Sequence, residues 1–259
     1  MLRRLLVFWV AVATLQVAMV CILPIMARDG SYANPVQNRD GDWIVTGTEF
    51  VEDTTIILNG NLIVESGGSL SLTNVLLRME QSPSGAYQIL ANPGSSLVIS
   101  KSTIEPLQEN YQFELFVNGA NFALTESTLN GPGIPTIFAL RISDTNGVTL
   151  EGNTINYTNA IMLSNSTNAL IRGNTVTSIG PDFAATGIWL DDSHHNTITN
   201  NRLYRHTVSV MLNNSWDNYV AYNEVTLADH PNGICVTWSS GNNVVAYNHF
   251  SMHQGYEAG

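Results

Sequence analysis

Lysine is almost missing from this chain: Lys101 is the only one in 259 residues, and ten basic residues face 21 acidic ones. The formal net charge is -11, and Arg3 and Arg4 fall in the leader described below, so the body is more acidic still. Such a surface repels phosphate backbones and excludes nucleic acid as a partner. Cysteine is equally scarce. Cys21 lies in the leader and Cys235 stands alone in the body, so no internal disulfide is available and stability must come from the fold. Charged residues make up only 12% of the chain, and Asn, Ser and Thr supply the polar surface instead. After the leader no segment carries sustained helical periodicity, which argues against any helical bundle.

The first 27 residues read as a signal peptide or an N-terminal membrane anchor, in either case a hydrophobic leader helix. Met1 to Arg4 is a short basic start, and Leu5 to Ala27 carries no charge. About 20 apolar residues suffice to span a bilayer, whereas a secretory core runs about 7–15. Basic residues before the span stay inside, which sends the remainder outward under both readings. The body is therefore expected to be extracytoplasmic: secreted, periplasmic or on the cell surface. Residues 28–41 read as a polar linker, and 42–259 as one extended domain.

That domain is a repeat of about two dozen residues. The copies are LRISDTNGVTLEGNTI, IMLSNSTNALIRGNTV, IWLDDSHHNTITNNRL, VMLNNSWDNYVAYNEV and ICVTWSSGNNVVAYNHF. Leu140 to Asn153, Ile161 to Asn174, Ile188 to Asn201 and Val210 to Asn223 are each 13 residues apart, and Ile234 to Asn248 is 14. Weaker copies extend backward, with Ser127, Ser102 and Asn74 in the Asn position. Strands this short cannot bury an apolar face alone, but stacked copies bury it together. The pattern predicts an all-β, single-stranded, right-handed parallel β-helix of about eight coils, roughly 40 Å long at one strand spacing per coil. Ile161, Ile188, Val210 and Ile234 should form one inward row. Ile171, Ile198, Val220 and Val245 form another, and Val176, Leu203, Val225 and Phe250 a third. The Asn row is expected at a turn, where Asn tolerates left-handed backbone and stacked amides bond along the axis. The last coil exposes an edge that further coils or a partner should cover.

These coils, above all GIWLDDSHHNTITNN (Gly187 to Asn201), resemble the generic repeat of pectin-lyase-like parallel β-helices, of carbohydrate-binding and sugar-hydrolase modules, and of the NosD family. The resemblance is specific for the fold and implies extracytoplasmic carbohydrate contact or a passive scaffold. For the NosD type it implies a role near copper delivery, but no residues match a defined copper motif.

Stacking turns sequence offset into proximity. Asp192 aligns with Asn165 and Asn214, His194 with Trp216, and His195 with Asp217. A His195–Asp217 pair could be an oriented general base, or simply a hydrogen bond on a polar turn. Asp191 and Asp192 resemble the adjacent aspartates of polygalacturonase-like hydrolases, without that family's Asn-Thr-Asp, Gly-His-Gly or Arg-x-Lys. The candidate catalytic set is Asp191, Asp192, His195 and Asp217. The outward row Arg141, Met162, Trp189, Met211, Cys235, with Trp216, Trp238 and His194 on the following turn, could stack sugar rings. Alternatively it is covered by the insertions 178–186 and 227–232. Its soft and imidazole side chains form no known ligand cluster, so no copper, calcium or other cofactor is expected. Polysaccharide binding without catalysis is the leading expectation. A polysaccharide hydrolase or lyase and a copper-accessory scaffold are the alternatives.

Overall fold

Apolar residues alternate with polar ones in three short clusters per repeat, and in the computed structural model each cluster is a strand. The structure describes residues 35–131, 138–157, 159–179, 185–237 and 239–252, with backbone alone at 227–232 and 252. The leader expected over 1–27 lies outside the described residues. Among those described, every regular element is a strand, and every pairing between strands is parallel. The chain is a parallel β-solenoid with three faces.

The first face stacks Trp43–Val45, Leu62–Val64, Gln88–Ala91, Glu114–Asn118, Phe138–Ser143, Asn159–Ser164 and Thr186–Asp191, then the later halves of Arg202–Asn213 and Glu224–Thr237. The second face runs through Thr149–Glu151, Leu170–Arg172, Thr197–Thr199, Tyr219–Ala221 and Val244–Ala246. The third runs through Thr154–Asn156, Thr175–Thr177 and the early halves of the two long strands to His249–Met252. The predicted inward rows are in register: Ile161 pairs with Ile188, Ile188 with Val210, Val210 with Ile234. Ile171, Ile198 and Val220 follow suit on the second face, as do Val176, Leu203 and Val225 on the third. All but Ile234 are buried to within 1%. In the last described coil Val245 and Phe250 of these rows, and Val236 at the end of the neighbouring row through Leu190 and Leu212, are 43–47% exposed. Residues 227–232, expected as an insertion, fall within the strand Glu224–Thr237, whose pairing passes from Leu227 to Asn232 while its neighbour passes only from His206 to Val208, so three extra residues are accommodated there.

Two expectations about the backbone need correction. Val36–Asp40, inside the stretch read as a linker, is a strand paired with Thr55–Asn59. Its residues are mostly exposed, so it carries no apolar alternation and is held by main-chain bonds. The second correction concerns the Asn row. Positive φ falls one residue earlier, at Gly152, Gly173, Asn200, Tyr222 and Tyr247. Asn153, Asn174, Asn201 and Asn223 instead point inward and are almost wholly buried. Asn174, Asn201 and Asn223 each accept, through Oδ1, the backbone N–H and the side-chain N–H of the Asn one coil earlier, as Asn201 does from Asn174 at 3.0 and 2.9 Å, while Asn153 accepts the Ser127 backbone N–H at 2.9 Å. Earlier coils use Ser102 and Ser127 there, and Val75 rather than Asn74 begins the row. Buried main-chain groups at a corner without a strand partner need such side chains, because leaving them unpaired is costly. A second Asn row, the buried Asn196 and Asn218 with the half-buried Asn243, does the same at the corner before the second face.

Candidate ligand-binding surface

The outward row of the first face follows from strand alternation and sits where expected: Arg141 pairs with Met162, Met162 with Trp189, Trp189 with Met211, and Met211 with Cys235. The register carries it back through Phe116, Leu90, Ile63 and Ile44, which the weaker early copies hid. Between Ile63 and Cys235 the row is half-buried, apart from the exposed Arg141. The Arg141 guanidinium lies 4.4 Å over the Phe116 ring and 3.3 Å from Glu114 Oε1. Burial pushes the Glu114 carboxyl above its ordinary range, and Arg141 opposes that shift. Trp189 is half-buried, 6.1 Å from Phe138, with its indole nitrogen enclosed and unbonded among the described residues. Burial likewise raises the Cys235 thiol.

The turn after this face is better organised. The Trp216 N–H donates to His194 Nδ1 at 3.1 Å, and His194 Nε2 lies 3.6 Å from Asp192 Oδ1. The two rings are 4.6 Å apart. Trp216 also lies against Gly241, where a Cβ would come within 3.2 Å of the indole, so a side chain there would displace the ring. Asp191 accepts from Asn213 at 2.6 Å, and Asp192 from Asn214 at 3.2 Å. Sequence alignment of coils placed these neighbours together. It missed Gly241 and the Asn213 amide as members of the site.

His195 and Asp217 are brought to one corner but not into a dyad. Both are exposed turn residues with φ of 58° and 56°, and no hydrogen bond joins their side chains among those described. The oriented imidazole is His194. Its Nδ1 accepts a main-chain proton and its remaining N–H faces Asp192, so neither nitrogen is free to take a proton from a substrate. Asp191 and Asp192 are each bound to their own asparagine of the next coil. Trp238 lies outside the described residues. The surface is open, and the described cavities lie elsewhere, one of about 410 Å³ on the third face beside Arg78 and Glu105.

A family model described as "Periplasmic copper-binding protein (NosD)" matches residues 30–201 and 133–258. No curated protein matches the chain. Similar solved structures include a double-mutant form of the periplasmic alginate epimerase AlgG, 12% identical, covering 81% of this chain and 76% of that one with a TM-score of 0.41. A GH136 lacto-N-biosidase from Eubacterium ramulus is 8% identical, covering 78% of this chain and 49% of its own, TM-score 0.39. PfbA, a surface adhesin of Streptococcus pneumoniae, is 10% identical over 84% and 82%, TM-score 0.22. Copper in the family's description prompts a test of donors. Among the described residues no three His, Cys, Asp or Glu side chains gather to hold a metal. Among the described residues both nitrogens of His194 are engaged, and the adjacent soft donors on this surface are Met211 and Cys235, whose thiol pKa is pushed up by burial. These residues do not fit a resident copper centre.

Proposed function

The chain belongs to the NosD family, and from that premise we propose an extracytoplasmic β-helix that binds polysaccharide on its outer surface without transforming it. The observation that carries this reading is the Trp216 indole, seated on Gly241 and flanked by His194, beside the Asp191–Asn213 and Asp192–Asn214 pairs. An aromatic face next to carboxylate and carboxamide groups suits a sugar, which offers apolar C–H faces and hydroxyl rims. An open surface suits a polymer better than a small molecule. The periplasmic setting in the family's description and the charge-free stretch from Leu5 to Ala27 support an extracytoplasmic location.

Trp216→Ala should lower retention on an immobilised glycan about tenfold or more, since losing an aromatic contact costs about 1–3 kcal/mol. Its unfolding midpoint should stay near that of the parent, because Trp216 is not a core residue. Retention unchanged by Trp216→Ala would sink this surface. Release of new chain ends that disappears in Asp192→Asn would replace binding by catalysis.

A further inference from the structure

Resting on that glycan-binding reading, we infer that the surface takes an uncharged linear polysaccharide laid along the solenoid axis, and discriminates against acidic ones. Two polar rows run side by side up this corner. One passes in register through Asn118, Ser143, Ser164, Asp191, Asn213 and Thr237, about 24 Å at one strand spacing per step. Its members bond along the axis, Ser143 to Asn118 at 3.3 Å, Asn213 to Asp191 at 2.6 Å and Thr237 to Asn213 at 3.4 Å. The other row holds Asp144, bonded by Asn165 at 2.6 Å, and Asp192, bonded by Asn214. Trp216 stands beside the upper end. A polymer lying along these rows meets a hydroxyl, carboxamide or carboxylate at each coil, which a chain crossing them would not.

The rows also set the charge the ligand can carry. Asp144, Asp191 and Asp192 each use Oδ1 for their asparagine, which leaves Oδ2 to accept from a sugar hydroxyl. A uronate carboxylate cannot donate there and is repelled instead, by about 1 kcal/mol per close pair in water. Among the described residues Arg141 is paired with Glu114, Arg172 with Glu151 and Arg202 with Glu224, and His194 is held by its own neighbours.

The test uses the whole protein, with retention measured on cellulose and mannan as neutral probes and on polygalacturonate and alginate as acidic ones. At low salt the neutral polymers should be retained about tenfold more strongly, a gap that narrows as salt screens the carboxylates. The triple variant Asp144→Asn, Asp191→Asn, Asp192→Asn should gain acidic-polymer retention. Acidic polymers held as well as neutral ones by the parent, with retention still lost in Trp216→Ala, would overturn the charge selectivity while leaving the glycan site. Retention of no polymer would overturn both.

Discussion

Asn201→Ala should cost about 4 kcal/mol of unfolding free energy, far more than any exposed Asn. The buried amide donates to Ile171 O and to Asn223 Oδ1, both at 2.9 Å, and its Oδ1 accepts the main-chain and side-chain N–H of Asn174. Alanine leaves the Asn174 N–H buried without a partner, at about 1–3 kcal/mol, removes the side-chain donor from the Ile171 carbonyl and from Asn223 Oδ1, at about 1 kcal/mol each, and opens a small void besides. The early coils supply an internal control. Ser127 occupies the same row and accepts the Ser102 N–H at 3.0 Å through its hydroxyl, so Asn201→Ser should recover about half of the loss. Asn165, which is exposed but has left-handed backbone at φ 47°, should cost about 1 kcal/mol on replacement by Ala. Urea unfolding read with amide exchange at Asn174 and Asn223 gives the comparison. Equal losses in the Ala and Ser variants, or a loss below about 1 kcal/mol for Ala, would mean that the Asn rows do not hold the corners.

The second large effect is on acid stability. His206 is wholly buried, and both its nitrogens lack hydrogen-bond partners among the described residues. Burial lowers its pKa from 6.5 to about 3. The unfolded chain therefore takes up a proton below about 6.5 that the folded chain refuses until about 3. Stability from this group is fully present above that window and is lost as pH falls through it. Between pH 7 and pH 5 the loss should be about 2 kcal/mol. His206→Leu removes the titrating group and two unbonded nitrogens, so its stability at neutral pH should be equal or higher. Measuring both proteins across the same pH series cancels what the other groups contribute. An identical acid slope in the Leu variant would show that His206 is not the source.

Much of this was legible in the chain because a solenoid maps sequence offset onto space by translation. Ile188 had to meet Ile161 and Val210, and the same logic aligned His194 with Trp216 and Asp192 with Asn214. What escaped did so for identifiable reasons. Val36–Asp40 lacks apolar alternation, so a strand held by main-chain bonds looked like a linker. His206 lies between Arg205 and Thr207, where nothing marks an inward residue; the register shift at the corner turns it in. Coil offset pairs His195 with Asp217 as a candidate base, and the left-handed turn puts both residues outside.

The sequence by itself determined the repeating coil, the inward rows and the side of the solenoid on which the candidate residues gather, because those depend only on period and alternation. The tertiary structure alone decided which atoms meet. It gave Trp216 its seat on Gly241, tied both nitrogens of His194, packed Trp189 against Phe138 and turned the Asn row inward. Register settles which Cα atoms are neighbours. Side-chain rotation and the backbone of each corner settle which polar groups are left facing water, and those are set by the packing of all the coils together.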